Sequence, residues 1–365
     1  MTPSPRSGSL SNRSSTLAGA SDQIDRAPGV PSAPLRVVAI GGGTGLSTLL
    51  RGLRKHVSIP DWPTSDPSHI SDLAAVVTVT DDGGSSGRLR QDFNMLPPGD
   101  IRNCMVALSA EEDLLSKLFA YRFKGGAGLD GHSFGNLFIT ALSEITGDFA
   151  HAVQLASKIL ATRGRIYPAT TSYATVVAHM EDGSVVRGET NITASKQRIA
   201  ELMLDPPNAA AMPETLEAIH RANLITVGPG SLYTSLITNL LVQGIPSALA
   251  SATGVRVFVC NLMTQANESL GLTASEHIER IYEHTRAPIF DYAIVNTAKF
   301  SPETLSRYAA ENASPIEADI ERIERLGVRC IAGDFASEDN VVRHAANRVT
   351  GALLALGNCR PPASL

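Results

Sequence analysis

"LRVVAIGGGTGLSTLLRGL", Leu35 to Leu53, decides the fold. Leu35 to Ile40 is a short apolar run, "GGGTG" breaks it, and Leu46, Leu49, Leu50 and Leu53 then recur at i, i+3, i+4 and i+7. That succession reads as strand, tight glycine loop and amphipathic helix. Working outward, Leu73 to Thr80, Leu224 to Val227, Val255 to Cys260, Asp291 to Val295 and Val328 to Ala332 are further buried-strand candidates. Helical stretches lie between and after them: a Ser109/Glu112 capping box opening "SAEEDLLSKLFAY", then Phe134 to Ile145, "SLYTSLITNLLV", Pro302 to Glu311, Glu317 to Leu326 and Asn340 to Leu356. From Ser172 to Thr193 two alternating runs flank Asp182-Gly183, a hairpin signal. The pattern predicts an α/β fold: a doubly wound, mostly parallel Rossmann-like sheet with helices on both faces and an antiparallel hairpin insertion near 172–193. A disordered tail over 1–34, rich in Ser, Ala, Pro, Gly and Arg, is expected to precede a single domain over 35–358.

Composition narrows the function classes. In 365 residues, 43% are hydrophobic and 18% charged, enough for a sizeable, mostly aliphatic core. Lys and Arg number 31 against 36 Asp and Glu, a formal charge of −5, and no long basic run appears, which argues against nucleic acid as a partner. Cys104, Cys260, Cys330 and Cys359 are scattered without CxxC spacing, so neither a disulfide framework nor a zinc site is expected and a reducing cytoplasm fits best. No apolar stretch reaches the roughly 18 residues of a membrane span, and the N-terminal segment has no signal-peptide core.

In an open parallel sheet, ligands sit beyond the carboxyl ends of the strands, where strand order reverses. Four loops there have unusual composition: "GGGTG", "DDGGSSGR" after Thr80, "GPGS" after Val227 and "NLMTQANE" after Cys260. All four are expected on one edge. Gly41, Gly42, Gly43, Thr44 and Gly45 precede a helix start, whose unpaired N–H groups suit phosphate; the same loop also reads as an ordinary tight βα turn. It completes neither GxGxxG, since position 46 is Leu, nor a P-loop, since no Lys precedes Ser47. Gly228, Gly230 and Ser231 repeat the device, with Ser231 as a candidate helix cap, and two helix starts aimed at one crevice would suit a diphosphate.

Asp81 and Asp82 could hold Mg²⁺ on a diphosphate, take a proton from a hydroxyl, accept hydrogen bonds from a sugar, or simply form a turn. Arg88 and Arg90 could pair with phosphate, pair with those aspartates, or stand in solvent. Asp100, Arg102 and Asn103 open one helix; His132, Ser133 and Asn136 precede another, and with no nucleophile and base pair apparent around it His132 is expected in a local capping or core role rather than in catalysis. His277 follows a Thr273/Glu276 capping box and reads as structural. Asn261 and Gln265 are neutral groups suited to recognising hydroxyls, amides or a base edge.

Together "AIGGGTG", "TVTDDGGSSGRLR", "PPGDIRNC", "HSFGNL", "ITVGPGSLYTSLITNLLVQGI" and "VCNLMTQ…ESLGLTASEHI" resemble the YvcK branch of the CofD-like superfamily, the bacterial gluconeogenesis factors, from about Leu35 to the C-terminal helix. The resemblance implies a UDP-sugar-binding regulatory protein, with UDP-N-acetylglucosamine as ligand, needed for cell shape and wall-precursor supply on gluconeogenic carbon sources. It implies Gly41 to Gly45 and Gly228 to Ser231 as phosphate loops, Asp81 and Asp82 as the acidic loop, and Asn136 and Asn261 as polar readers. No cofactor is implied beyond Mg²⁺ accompanying a diphosphate; candidate partners are a regulated enzyme of amino-sugar synthesis and a second copy of the chain. The alternative within the superfamily is a Mg²⁺-dependent transferase of phosphorus-containing groups, like 2-phospho-L-lactate transferase, with Asp81 or Asp82 as metal ligand or base. A dinucleotide module is a third, weaker reading. One departure is visible: Asn267-Glu268-Ser269 stands where the family usually shows Gly-Glu-Thr.

Overall fold

Short apolar runs with no polar side to offer water pair with one another and are covered on both faces. The computed structural model describes residues 34–58, 70–109, 114–339 and 341–358. In chain order the strands are β1 (Leu35–Gly41), β2 (Ile70–Val77), β3 (Arg165–Pro168), β4 (Thr175–Met180), β5 (Val185–Arg187), β6 (Ile199–Asp205), β7 (Leu224–Val227), β8 (Val255–Val259), β9 (Tyr292–Asn296), β10 (Arg329–Gly333), β11 (Ala336–Glu338) and β12 (Val342–His344). Seven of them form one sheet in the order β10-β9-β8-β7-β1-β2-β3, and every pairing in it is parallel. The order reverses between β7 and β1, which is where a crevice opens in such sheets.

Alternation along the strands sends their side chains into two cores. Val37, Ala39, Val77 and Val257 meet Leu46 and Leu50 of the helix Gly43–Leu53, Ile101 and Met105 of Gly99–Leu108, and Leu353 of Ala346–Gly357. On the opposite face Val38, Ile40, Ile225 and Phe258 meet Leu236 and Ile237 of the helical segment after β7, Ile278 of Ala274–Thr285 and Ile323 of Ile320–Arg325. The fold is therefore the expected doubly wound α/β sheet. No helix among the described residues is long and apolar enough to cross a membrane.

The insertion is larger than a hairpin. β4 and β5 flank the expected turn, with Gly183 at φ 85 and the Asp182 carboxylate accepting from Ser184 N and Oγ. β6 joins the other side of β4, giving an antiparallel sheet in the order β5-β4-β6. The second run ends early: at Gly188 the chain turns, and Glu189–Ala194 is a helix rather than strand. Other boundaries also shift. β2 starts at Ile70 and ends at Val77, so Thr78 to Thr80 leave the ladder, with Thr78 N donating to Gly41 O. The helix expected over Glu317 to Leu326 is confined to Ile320–Arg325. The C-terminal helix begins at Ala346; Val342–His344, expected inside it, is a strand pairing β11, stabilised by Val342 N donating to Tyr308 Oη.

The expected tail before Pro34, the 110–113 portion of the Ser109 capping box, Asn340 and Cys359 lie outside the described residues.

Candidate ligand site at the β1 and β7 carboxyl ends

Because all seven strands run the same way, the loops after β1, β2, β7 and β8 emerge on one rim. Those after β1 and β7 touch. A Cβ at Gly45 would lie 2.4 Å from the Pro229 carbonyl oxygen, and one at Gly42 would lie 2.5 Å from Thr78 Cγ2 and 2.8 Å from Asp100 Oδ2, so only glycine permits this approach. Above the contact is a cavity of about 620 Å³, within the size range of small-molecule sites. Gly42, Gly43, Thr44 and Gly45 form one wall, Gly230, Ser231 and Asn261 the next, and Thr264 and Gln265 continue it. Gly41 and Gly228 do not line it: Gly41 ends β1 and Gly228 begins the turn after β7.

The lining also includes residues that sequence reasoning missed: Tyr308, Glu311, Arg343 and His344. Tyr308 lay in an expected helix with no sign of which way it faced, and Arg343 and His344 lay in one that forms a strand instead. His344 Nε2 is 3.0 Å from the Cys260 carbonyl, hence a donor, and burial lowers its pKa to about 4, so the imidazole is neutral near pH 7.

The two helix starts differ. At the first, the Gly43 N–H donates to Asp100 Oδ2 at 2.7 Å, while Thr44 and Gly45 carry N–H groups that a first helical turn leaves without an intrahelical partner. The second does not offer the free end that was expected. Glu268 Oε2 accepts from Tyr233 N and Thr234 N, and its Oε1 accepts from Thr234 Oγ1 at 2.9 Å. Ser231, expected as the cap, makes no capping bond; its hydroxyl accepts from Gln265 Nε2 at 3.0 Å. Asn261, expected as a reader of ligand, spends both ends of its amide on one residue: Oδ1 accepts from Gly230 N at 3.1 Å and Nδ2 donates to Gly230 O at 2.6 Å.

The loop after β2 faces a separate, acidic compartment rather than this cavity. Asp81 Oδ1 accepts from Gly83 N, and Asp82 Oδ1 accepts from Thr190 N and Oγ1, capping the helix that replaced the end of the hairpin. Glu189, on that helix, has its Oε2 buried without a hydrogen-bond partner, and burial followed by the charges of Asp81 and Asp100 pushes its pKa well up. Asp100 lies between compartment and cavity. Burial raises its carboxyl to about 6, Gly43 N–H opposes the rise, and Asp81 adds to it. Among the described residues no three His, Cys, Asp or Glu side chains converge as a metal site. Mg²⁺ commonly takes only one or two carboxylates besides phosphate oxygens, so the oxygens of Asp81 and Asp82 not engaged in these bonds fit that role with a phosphorylated ligand.

Three more expected site residues lie elsewhere. Arg88 donates to Asp130 O at 2.7 Å, away from the cavity. Arg90 is buried and bonds Thr80 O, Ala174 O and Thr175 Oγ1 beneath the Tyr173 ring, tying the β2 loop to the antiparallel sheet. Asn136 Nδ2 donates to Ser85 Oγ at 3.1 Å, and the same hydroxyl is 3.0 Å from His132 Nδ1. Ser85 therefore bonds His132, and both are buried, which agrees with a core role for this histidine. His277 is structural as expected, Nδ1 being 2.7 Å from Thr273 O beside an intact capping box.

A parallel sheet covered by helices on both faces, with a glycine-bearing rim at its switch point, defines a doubly wound α/β fold whose crevice opens at that rim. The family model described as 2-phospho-L-lactate transferase CofD matches residues 37–336, and the chain belongs to that family. Within it, the chain is 44% identical over 319 residues to the gluconeogenesis factor of Halalkalibacterium halodurans, covering 87% of this chain and 95% of that protein. It is 42% identical over 322 residues to the gluconeogenesis factor of Bacillus subtilis, covering 88% and 98%. A crystal structure of a UPF0052 family protein from Bacillus halodurans superposes with a TM-score of 0.82 at 43% identity, covering 88% of this chain and 99% of that one.

Proposed function

We propose that this chain is a regulatory protein that binds a UDP-sugar, UDP-N-acetylglucosamine, in the cavity between the β1 and β7 loops, and that it adjusts wall-precursor supply and cell shape during gluconeogenic growth. The observation that carries the reading is the touching pair of glycine loops beside a cavity of about 620 Å³ that Tyr308, Glu311 and Arg343 also line. Backbone N–H groups of Thr44 and Gly45 suit phosphate, Arg343 supplies a cation for its charge, and Tyr308 offers a ring to a base or sugar face. Among the described residues lining the cavity the one imidazole, His344, is committed to Cys260 O, which favours binding over proton transfer. Calorimetric titration tests this: UDP-N-acetylglucosamine binds the wild type, and Arg343→Ala weakens binding at least tenfold. No heat at millimolar ligand removes the reading.

The acidic compartment supports a second reading, a CofD-like transferase in which Asp81 and Asp82 hold Mg²⁺ on a diphosphate. Mg²⁺ would neutralise the phosphate charge; Asp100, coupled to Asp81 and bonded to Gly43, would join the metal side to the cavity. Nucleotide release from a nucleoside-diphosphate donor, abolished in Asp82→Asn, would support it, and no turnover with any donor would dismiss it.

A further inference from the structure

We propose that a basic cleft behind Arg343 is a second anion site, built for a small molecule carrying two or more phosphoryl charges. The cleft has a volume of about 500 Å³ and shares Thr48, Arg343 and His344 with the glycine-loop cavity. Arg51, Arg54 and Lys55 enter from the end of the helix Gly43–Leu53 and the turn Arg54–His56, Arg343 from β12, and Arg348 from the last helix. Asp339 is the one carboxylate on its wall among the described residues. The chain as a whole has a charge of −5, so five cations around one cleft are not a reflection of composition.

Local pairing with carboxylates does not account for Arg51 and Arg343, neither of which forms an ion pair among the described residues. Lys55 donates to the neutral Asn347 Oδ1 at 3.0 Å, and Arg348 reaches Asp334 at 3.1 Å. Like charges lining one cleft repel unless an anion joins them, and guanidinium forks with an ammonium group suit phosphoryl oxygens. Since Arg343 belongs to both walls, an anion here alters the field felt in the neighbouring cavity.

The test is calorimetric titration of the full chain with sodium pyrophosphate, ionic strength held constant with sodium chloride. Arg51→Gln/Lys55→Gln is expected to weaken pyrophosphate binding at least tenfold while leaving UDP-N-acetylglucosamine binding within twofold. Thr44→Trp, which obstructs the glycine-loop cavity, is expected to leave pyrophosphate binding within twofold. Wild-type affinity in the double variant, loss of binding in Thr44→Trp, or no pyrophosphate binding by the wild type would each overturn the proposal. Failure of UDP-N-acetylglucosamine to bind the wild type would bear on the glycine-loop cavity alone.

Discussion

Glu268 sits across the start of the helical segment after β7 and accepts from the backbone of Thr234, 34 residues earlier in the chain. Three donors converge on this one buried carboxyl: two backbone N–H groups and the Thr234 hydroxyl. Removing it leaves them buried and unpaired, so Glu268→Ala is expected to cost about 2 kcal/mol in denaturant unfolding. Glu268→Gln, which keeps an acceptor oxygen, should lose less than half of that. An unchanged midpoint in Glu268→Ala would contradict this role.

Asp100 gives the protein a pH dependence of definite sign. Its folded pKa of about 6 lies above the ordinary 3.8, so its contribution is fully present below pH 3.8 and is lost as pH rises through 6. Asp100→Asn keeps an oxygen for the Gly43 N–H and carries no charge. Its melting temperature should exceed the wild type's at pH 8, by an amount corresponding to roughly 2–3 kcal/mol, and the gap should close below about pH 4. A gap that widens toward acid would exclude the assignment.

Gly43 and Gly45 should respond differently to the same substitution. Gly43 has φ 60 and open space where a methyl group would stand, so Gly43→Ala costs backbone strain of about 1 kcal/mol with little effect on loop contact. Gly45→Ala drives a methyl into Pro229 O and parts the two loops. UDP-N-acetylglucosamine affinity should fall more than tenfold in Gly45→Ala and less than threefold in Gly43→Ala; equal losses would mean that loop contact does not shape the site.

Arg90 is a buried cation that bonds two carbonyls and a hydroxyl from separate elements. Arg90→Met fills similar volume but leaves those acceptors unpaired, and should cost about 3 kcal/mol in unfolding experiments. Ligand affinity, measured below the melting transition, should change far less, since Arg90 does not line the cavity.

The central sheet was legible because a strand buried on both faces must be apolar along its buried length, as "VVAI" (Val37–Ile40) and "VFV" (Val257–Val259) are. β3 escaped notice because four residues ending in Pro168 carry little periodicity, and β6 because "IAELMLD" contains good helix formers and becomes strand only by pairing with β4. The glycine loops were legible from composition, and so was their position on one rim. What occupies the helix ends was not: Glu268 on Thr234 and Asp82 on Thr190 are contacts across 34 and 108 residues, which no local pattern encodes. Arg343 was hidden for a related reason, since "NVVRHAANRV" suits a helix, while Tyr308, β11 and the Cys260 carbonyl hold Val342–His344 extended.

The paired bonds between Asn261 and Gly230 have an energetic consequence for any molecule that enters. They brace the end of β8 against the turn after β7, as the Gly45 contact braces that turn against the first helix, so three segments behave as one stiff frame. A guest meets a socket assembled in advance and surrenders little chain entropy on arrival. Selectivity in such a socket would rest on shape and charge matching rather than on ordering of the loops.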